Sequence, residues 1–243
     1  MKYLTSAAIL AAAAFAPAQA PDGTPAPTAD ERPRLVVLCS VDQLARWVFA
    51  EARPHFAEDG GFRRLLDDGV EFTACAYQHA CTETGPGHAT IGTGAPASVH
   101  GIVGNEWWSH EAGAKVYCVG EPADPLPDLR EGRNRGPGRL LVPTFADHLK
   151  QHVAGAKVAS VSWKDRSAIL MGGRSGDVVA WFEASTGNLV TNTRWLAATP
   201  AWLQAFNEQR AIDGFHGWVW DRCGPAAAYQ GLVDDRPYQL PHQ

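Results

Sequence analysis

The stretch RLVVLCSV, residues 34–41, is a continuous apolar run bounded by Pro33 and Asp42. A run without polar alternation suits a strand covered on both faces, as in a parallel sheet. Such a sheet needs helices packed on it, and the sequence offers them. Residues 43–68 carry helical spacing, interrupted at Pro54 and at Gly60-Gly61. VEFTACAY, from Val70, alternates and reads as a second strand. KVYCVG, from Lys115, and AKVASVSW, from Ala156, read as further strands. DVVAWFE and LVTN flank the turn ASTGN as a hairpin. Thr144 and Asp147 are spaced as a capping box, with Asp in place of Glu, for the helix TFADHLKQHV. Its period points Phe145, Leu149 and Val153 inward. TPAWLQAFNEQR begins a helix with Pro at its first position. Strands alternating with helices predict an α/β fold: a mostly parallel sheet with helices on both faces.

The N-terminus has a different character. MKYLTSAAILAAAAFAPAQA, residues 1–20, has one Lys, a short apolar stretch and Ala-Pro-Ala and Ala-Gln-Ala sites, the layout of a secretory signal peptide. Cleavage is expected after Ala18 or Ala20, and residues 21–33 form a flexible leader. The chain is therefore expected to be secreted or periplasmic. No segment reaches the length of a membrane span. The third segment, residues 34–243, carries the expected strands and helices. With 45% hydrophobic residues it can bury a core, and a net charge of -5 argues against nucleic acid as a partner. Arg130, Arg133, Arg135 and Arg139 sit among Gly, Pro and Asn, and read as a solvated loop. Five cysteines, Cys39, Cys75, Cys81, Cys118 and Cys223, include no C-x-x-C pair, so a cysteine zinc site is not supported. Cys39 is expected to be a small core residue.

Ligands of open α/β folds bind beyond the carboxyl ends of the strands. Asp42 follows the first strand. Thr84 follows the second and opens the Gly-rich segment TGPGHATIGTG, whose end can form a short helix with Pro86 in its first turn. Lys164 and Arg166 follow the strand ending at Trp163, and Asn105 lies in HGIVGNEWW. Each alone has a plain explanation: an Asp that caps a helix, a Thr that makes a turn, a solvated Lys-x-Arg. Together they describe a phosphoryl-transfer site. A hydroxyl at a helix N-terminus meets an environment that favours anions. A carboxylate can hold a metal that ionises the hydroxyl. Lys, Arg and an Asn amide can neutralise and orient phosphoryl oxygens. A P-loop is excluded, because no Gly is followed by Lys-Ser or Lys-Thr.

RPRLVVLCSVDQ, TGPGHATIGTG, HGIVGNEWW and SVSWKDRSAIL, in this order, resemble the alkaline phosphatase superfamily. They are most similar to its secreted, phosphate-irrepressible branch with a threonine nucleophile, and related to the nucleotide pyrophosphatase/phosphodiesterases. The resemblance implies that Thr84 is the nucleophile, ranked above Thr82 and Thr90. It implies that Asp42 ligates a zinc ion that also contacts the Thr84 oxygen. Asn105, Lys164 and Arg166 would hold the phosphoryl oxygens. The Lys-x-Arg pair implies small phosphate monoesters as substrates, hydrolysed through a phosphothreonine intermediate at a site with two zinc ions. A phosphodiesterase or nucleotide pyrophosphatase of the same superfamily is the alternative enzyme, and a non-catalytic phosphate-binding remnant the alternative from another class. A sulfatase is excluded, since Cys81 is not followed by the Cys-x-Pro-x-Arg pattern.

The family draws its remaining zinc ligands from the second half of a longer chain. No Asp here is followed by His at the fourth position, and Asp147-His148 precedes rather than follows the Lys164 motif. His148 and His152 therefore read as an exposed pair, and His88 and His100 as hydrogen-bonding supports. His55, His79, His110, His216 and His242 have no ligand context. The expectation is the N-terminal portion of a phosphatase with an incomplete sheet, a partial ligand set, weak zinc binding and little turnover on its own.

Overall fold

The computed structural model of the chain describes residues 33–127, 129, 131–219 and 226–230. The expected signal peptide, the expected leader up to residue 32, Arg130, Cys223 and His242 lie outside the described residues. The chain divides into two compact units, Met1–Ser40 and Val41–Gln243.

In the first unit, residues 33–40 form no strand. Leu35, Val36, Val37 and Leu38 are exposed. The expected strand at 34–41 is thus not formed, and Cys39 is exposed rather than a core residue. An apolar run becomes a buried strand only where neighbours pair with both its edges and layers cover both its faces. Within residues 33–40 none of that is supplied.

The second unit begins with α1 (Arg46–Ala52), a 3-10 turn at Arg53–His55 and α2 (Gly61–Asp68). The breaks fall at Pro54 and Gly60-Gly61, as the sequence predicts. Phe49, Phe56 and Phe62 cluster, their ring centroids 5.0–5.7 Å apart. Residues 70–77 form no strand, and Val70 and Phe72 are exposed. Alternation gave this segment an apolar face, but no described strand pairs with it.

Next comes α3 (Thr84–Thr93), then α4 (Ala97–His100). Gly94 ends α3 in the left-handed conformation at φ 67°, where a side chain would be strained. An unforeseen strand, β1 (Glu106–Ser109), pairs antiparallel with β2 (Ala114–Tyr117). Helix α5 (Phe145–His152) opens on the predicted capping box. The Thr144 hydroxyl accepts from Asp147 N at 3.2 Å, and Asp147 Oδ2 accepts from Thr144 N at 3.0 Å. Asp147 Oδ1 also accepts from Ser175 N at 2.7 Å. These bonds turn Ala146 and Asp147 inward, so Phe145 is exposed, against the apolar period.

The central unit is β3 (Ala159–Ser162), α6 (Asp165–Gly172) and β4 (Val178–Glu183), with β3 and β4 parallel. The predicted hairpin follows: β5 (Asn188–Val190) runs antiparallel to β4, with Trp181 opposite Val190. Helix α7 (Ala201–Glu208) starts after Pro200, which is its N-cap. The fold class is α/β, as expected; among the described strands one pairing is parallel and two are antiparallel. Ala89, Ile102, Cys118, Ile169, Val179 and Trp181 belong to one buried cluster that joins α3, α6 and β4. Helices α3 and α6 meet so closely that a Cβ on Gly92 would fall on the carbonyl oxygen of Leu170. No helix among the described residues is long and apolar enough to cross a membrane.

Candidate functional site

Helix α3 places Thr84 at its first position, with Glu83 as N-cap. Asp42 lies in the turn before α1, and Lys164 is the N-cap of α6, directly beyond β3. These three residues come from distant parts of the chain and meet. The Thr84 hydroxyl donates to Asp42 Oδ2 at 3.2 Å. Lys164 Nζ donates to the same Asp42 oxygen at 2.5 Å and to Thr84 Oγ1 at 3.2 Å. Burial would raise the Asp42 carboxyl, but the hydrogen bond and charge of Lys164, helped by Thr84, hold it below the ordinary value. The site thus has an ionised carboxylate beside a hydroxyl at a helix N-terminus. That end of a helix carries partial positive charge, which favours an arriving anion.

Asn105 is one residue removed. Its Oδ1 accepts from Gly85 N at 2.8 Å, while its own N–H donates to Glu83 Oε2 at 2.5 Å. With the carbonyl end anchored on the backbone, the Nδ2 amide is the donor end left for a ligand. A Cβ at Gly85 would press on Asn105 Oδ1 and Cys118 Sγ, both 3.2 Å away, so this glycine is needed for the close approach.

The two motif histidines are supports, as the sequence suggests. His88 Nδ1 lies 2.8 Å from the Thr84 carbonyl oxygen, which can only accept, so the proton sits on Nδ1. Ile102 N donates to His100 Nδ1 at 3.1 Å, which leaves the His100 proton on Nε2, 3.1 Å from Thr90 Oγ1. Burial first, then the charge of His79, pushes His100 below its ordinary value and keeps it neutral. Thr90 is engaged here and not beside Asp42.

Arg166, in the first turn of α6, bonds not to Thr84 or Asp42 but to Tyr117. Its Nη1 donates to the Tyr117 hydroxyl oxygen at 3.1 Å. Tyr117 in turn donates to Asp165 Oδ1 at 2.7 Å, and Arg135 Nε donates to Asp165 Oδ2 at 2.6 Å. Tyr117, Asp165 and Arg135 were not among the expected site residues. Asp165 stands inside the Lys-x-Arg motif and was within reach of the sequence; Tyr117 gave no signal beyond a strand position. Arg135 and Arg139 also correct the solvated-loop reading: Arg139 Nε donates to Tyr117 O at 3.0 Å, and Arg135 stacks over the Tyr117 ring. Beside Lys164 and Arg166 opens a cavity of about 520 Å³, walled by Tyr117, Trp163, Asp165 and Phe182 among others.

As for metal, among the described residues no group of three or more His, Cys, Asp or Glu side chains is placed to hold an ion. Asp42 and Thr84 offer oxygens, but the Lys164 ammonium already bonds both. His148 and His152 stack on each other on the exposed side of α5, 6.1 Å between centroids. The described residues alone do not fit a two-zinc centre. Among the described residues, Cys39, Cys75, Cys81 and Cys118 are free thiols.

A family model described as type I phosphodiesterase / nucleotide pyrophosphatase matches residues 36–231. The chain is 33% identical over 213 residues to alkaline phosphatase PhoV of Synechococcus elongatus, covering 86% of this chain and 38% of that protein. It is 31% identical over 214 residues to a calcium-transporting ATPase of Myroides odoratus, covering 86% and 38%. Alkaline phosphatase PafA of Elizabethkingia meningoseptica is 32% identical over 207 residues, with 84% and 38% covered. The crystal structure of wild-type PafA aligns with a TM-score of 0.70 at 30% identity, over 75% of this chain and 35% of that one. That of a PafA variant changed at a threonine, an asparagine, a lysine and an arginine aligns with a TM-score of 0.72 at 28% identity, over 78% and 37%. The chain thus spans about 38% of the length of the curated relatives it matches.

Proposed function

The chain belongs to the type I phosphodiesterase / nucleotide pyrophosphatase family, and on that premise we propose that it carries the nucleophile half of a phosphate monoesterase. One observation carries the reading: the Thr84 hydroxyl bonds both the Asp42 carboxylate and the Lys164 ammonium at the N-terminus of α3. Thr84 Oγ attacks phosphorus as its proton passes to Asp42, the P–O bond to the leaving group breaks, and the departing alkoxide takes a proton from water to give the alcohol. The product is a phosphothreonine, which water hydrolyses to inorganic phosphate. Lys164 and the Asn105 amide stabilise the non-bridging oxygens, and Arg166 reaches them from α6. Lys164 beside Thr84 favours monoesters, because it fills the side where a diester would carry its second alcohol.

Support also comes from the PafA variant. The four residue types changed there are those of Thr84, Asn105, Lys164 and Arg166, with the same separations between threonine and asparagine and between lysine and arginine. Two zinc ions belong to the proposal, with Asp42 and Thr84 among their ligands; bound zinc would acidify the attacking hydroxyl and stabilise the leaving oxygen. The described residues supply too few donors for them, so the metal content of the purified protein is the check on this part. We also propose that residues 1–20 are a signal peptide and 21–33 a leader, that the protein is exported, and that residues 34–243 are the N-terminal part of one catalytic domain.

The test is labelling with a 32P-phosphate monoester followed by acid quench. Radiolabel is expected on the peptide holding Thr84 and absent in Thr84→Ala. In a version extended to the relatives' length, Lys164→Ala should lower monoester kcat/KM about a hundredfold and leave diester hydrolysis within a few-fold. Diester activity that exceeds monoester activity in the unsubstituted protein would overturn the monoesterase reading in favour of a phosphodiesterase. Phosphate binding without any label would favour a non-catalytic binding module.

A further inference from the structure

Arg166, as a phosphate ligand, needs its guanidinium aimed. An arginine has five N–H donors on a plane that turns freely about several bonds, so its contribution depends on what fixes that plane. Burial opposes the charge of Arg166, and the bond to Tyr117 with the charge of Asp165 offsets it. The Tyr117 hydroxyl donates its one proton to Asp165 at 2.7 Å, so its oxygen faces Arg166 Nη1 only as an acceptor, at 3.1 Å. Asp165 is fixed in turn: Oδ1 also accepts from Arg166 N at 2.7 Å, and Oδ2 takes Arg135 Nε at 2.6 Å. The Arg135 guanidinium lies 5.0 Å over the Tyr117 ring and closes the far side. The Tyr117 backbone is held by β1 on one strand edge and by Arg139 on its carbonyl. Burial, with Asp165 next, pushes the phenol well above its ordinary value, so the hydroxyl keeps its proton. Arg166 Nε is buried without a hydrogen-bond partner, and Asp165 Oδ1 stands 3.7 Å from Nη1 as an ion pair, so among the described residues the Tyr117 hydroxyl is the group within hydrogen-bond distance of the guanidinium.

We propose that Tyr117 is a positioning residue that, through its hydroxyl, fixes the Arg166 guanidinium in the orientation that binds a phosphoryl group. This rests on the proposed role of Arg166 as a phosphate ligand. The residue touches no substrate itself and acts through Arg166. It sits on β2, outside the motifs of the site.

The experiment is a double-substitution cycle on the 243-residue chain, read as the affinity for inorganic phosphate by calorimetry. Tyr117→Phe keeps the ring and removes only the hydroxyl. It is expected to weaken phosphate binding about fivefold, the order of one hydrogen bond to a charged group. In an Arg166→Ala background the same change is expected to do nothing, while in a Lys164→Ala background the fivefold loss should persist. A merely structural role would weaken binding in all three backgrounds. An equal loss with Arg166 absent overturns the proposal, as does an unchanged affinity of Tyr117→Phe in the unsubstituted chain. If Tyr117→Phe lowers the melting temperature, Arg166→Lys serves as the second variant: it keeps charge but loses the planar donor fork, and Tyr117→Phe should then add no further loss. Phosphate affinity that is indifferent to Arg166→Ala itself overturns the phosphate-ligand reading and the Tyr117 proposal with it. Sensitivity to Arg166 with additive behaviour of Tyr117 overturns the Tyr117 proposal alone.

Discussion

Asp177 shows how one side chain ties three segments. It accepts from Lys150 Nζ at 2.9 and 2.8 Å, from Lys157 Nζ at 3.1 Å and from Val158 N at 2.8 Å. Burial would raise its carboxyl, but these donors hold it down to about 2, against an ordinary 3.8. A carboxyl held below its unfolded value adds stability at pH above that value, and the gain is lost as pH falls through the folded value. The window is therefore pH 4 down to about 2. Wild type should lose roughly 1 to 2 kcal/mol more than Asp177→Asn across that window. Urea titrations at pH 7, 4 and 2 read it, and parallel curves for the two proteins would refute it. Nothing in the sequence pointed to this residue, because its partners lie in α5 and in the loop before β3, well away from it along the chain. Asp42, Thr84 and Lys164 were legible for the opposite reason. Each stands just beyond an expected strand or at a helix start, where backbone geometry exposes polar groups, and the structure brings the three together. Tyr117 was invisible because its role depends on where Arg166 and Asp165 land.

Among elements, the strand from Ala156, the hairpin that follows Asp177 and the capping-box helix were read from the sequence, because local spacing and caps decide them; helix α6 between the two parallel strands was not. The strands at 34–41 and 70–77 were not formed, because a ladder is a property of two segments and the pattern describes one. The packing of α3 on α6 gives a matched pair of tests. A Cβ at Gly92 would fall on the Leu170 carbonyl, whereas nothing lies within 4 Å of one at Gly87. Both glycines are inside α3. Gly92→Ala should destabilise the protein by about 1–3 kcal/mol, since backbone cannot yield as a side-chain tip can. Gly87→Ala should be neutral or stabilise by up to about 1 kcal/mol, through helix propensity alone. Denaturant midpoints measured side by side decide it. Similar effects at the two positions would mean that α3 and α6 are not packed as described.

Over the whole molecule, the same unpaired segments set the surface. Val70 and Phe72 are 82% and 81% exposed, and Leu35 and Val70 are as open as residues of an unfolded loop. Soluble proteins bear scattered exposed apolar residues without consequence, but runs of them bind other apolar matter. The 243-residue chain matches about 38% of the length of PhoV. The chain by itself should bind the dye ANS in native buffer, at temperatures well below its unfolding. Val70→Ser with Phe72→Ser should cut the dye signal by about half. It should leave the melting temperature within about 2 °C, because neither side chain contributes to the buried cluster around Ala89, Ile102 and Ile169. A dye signal that stays constant while the melting temperature falls would show that both side chains are covered in solution, and that residues 70–77 form the strand their alternation predicts.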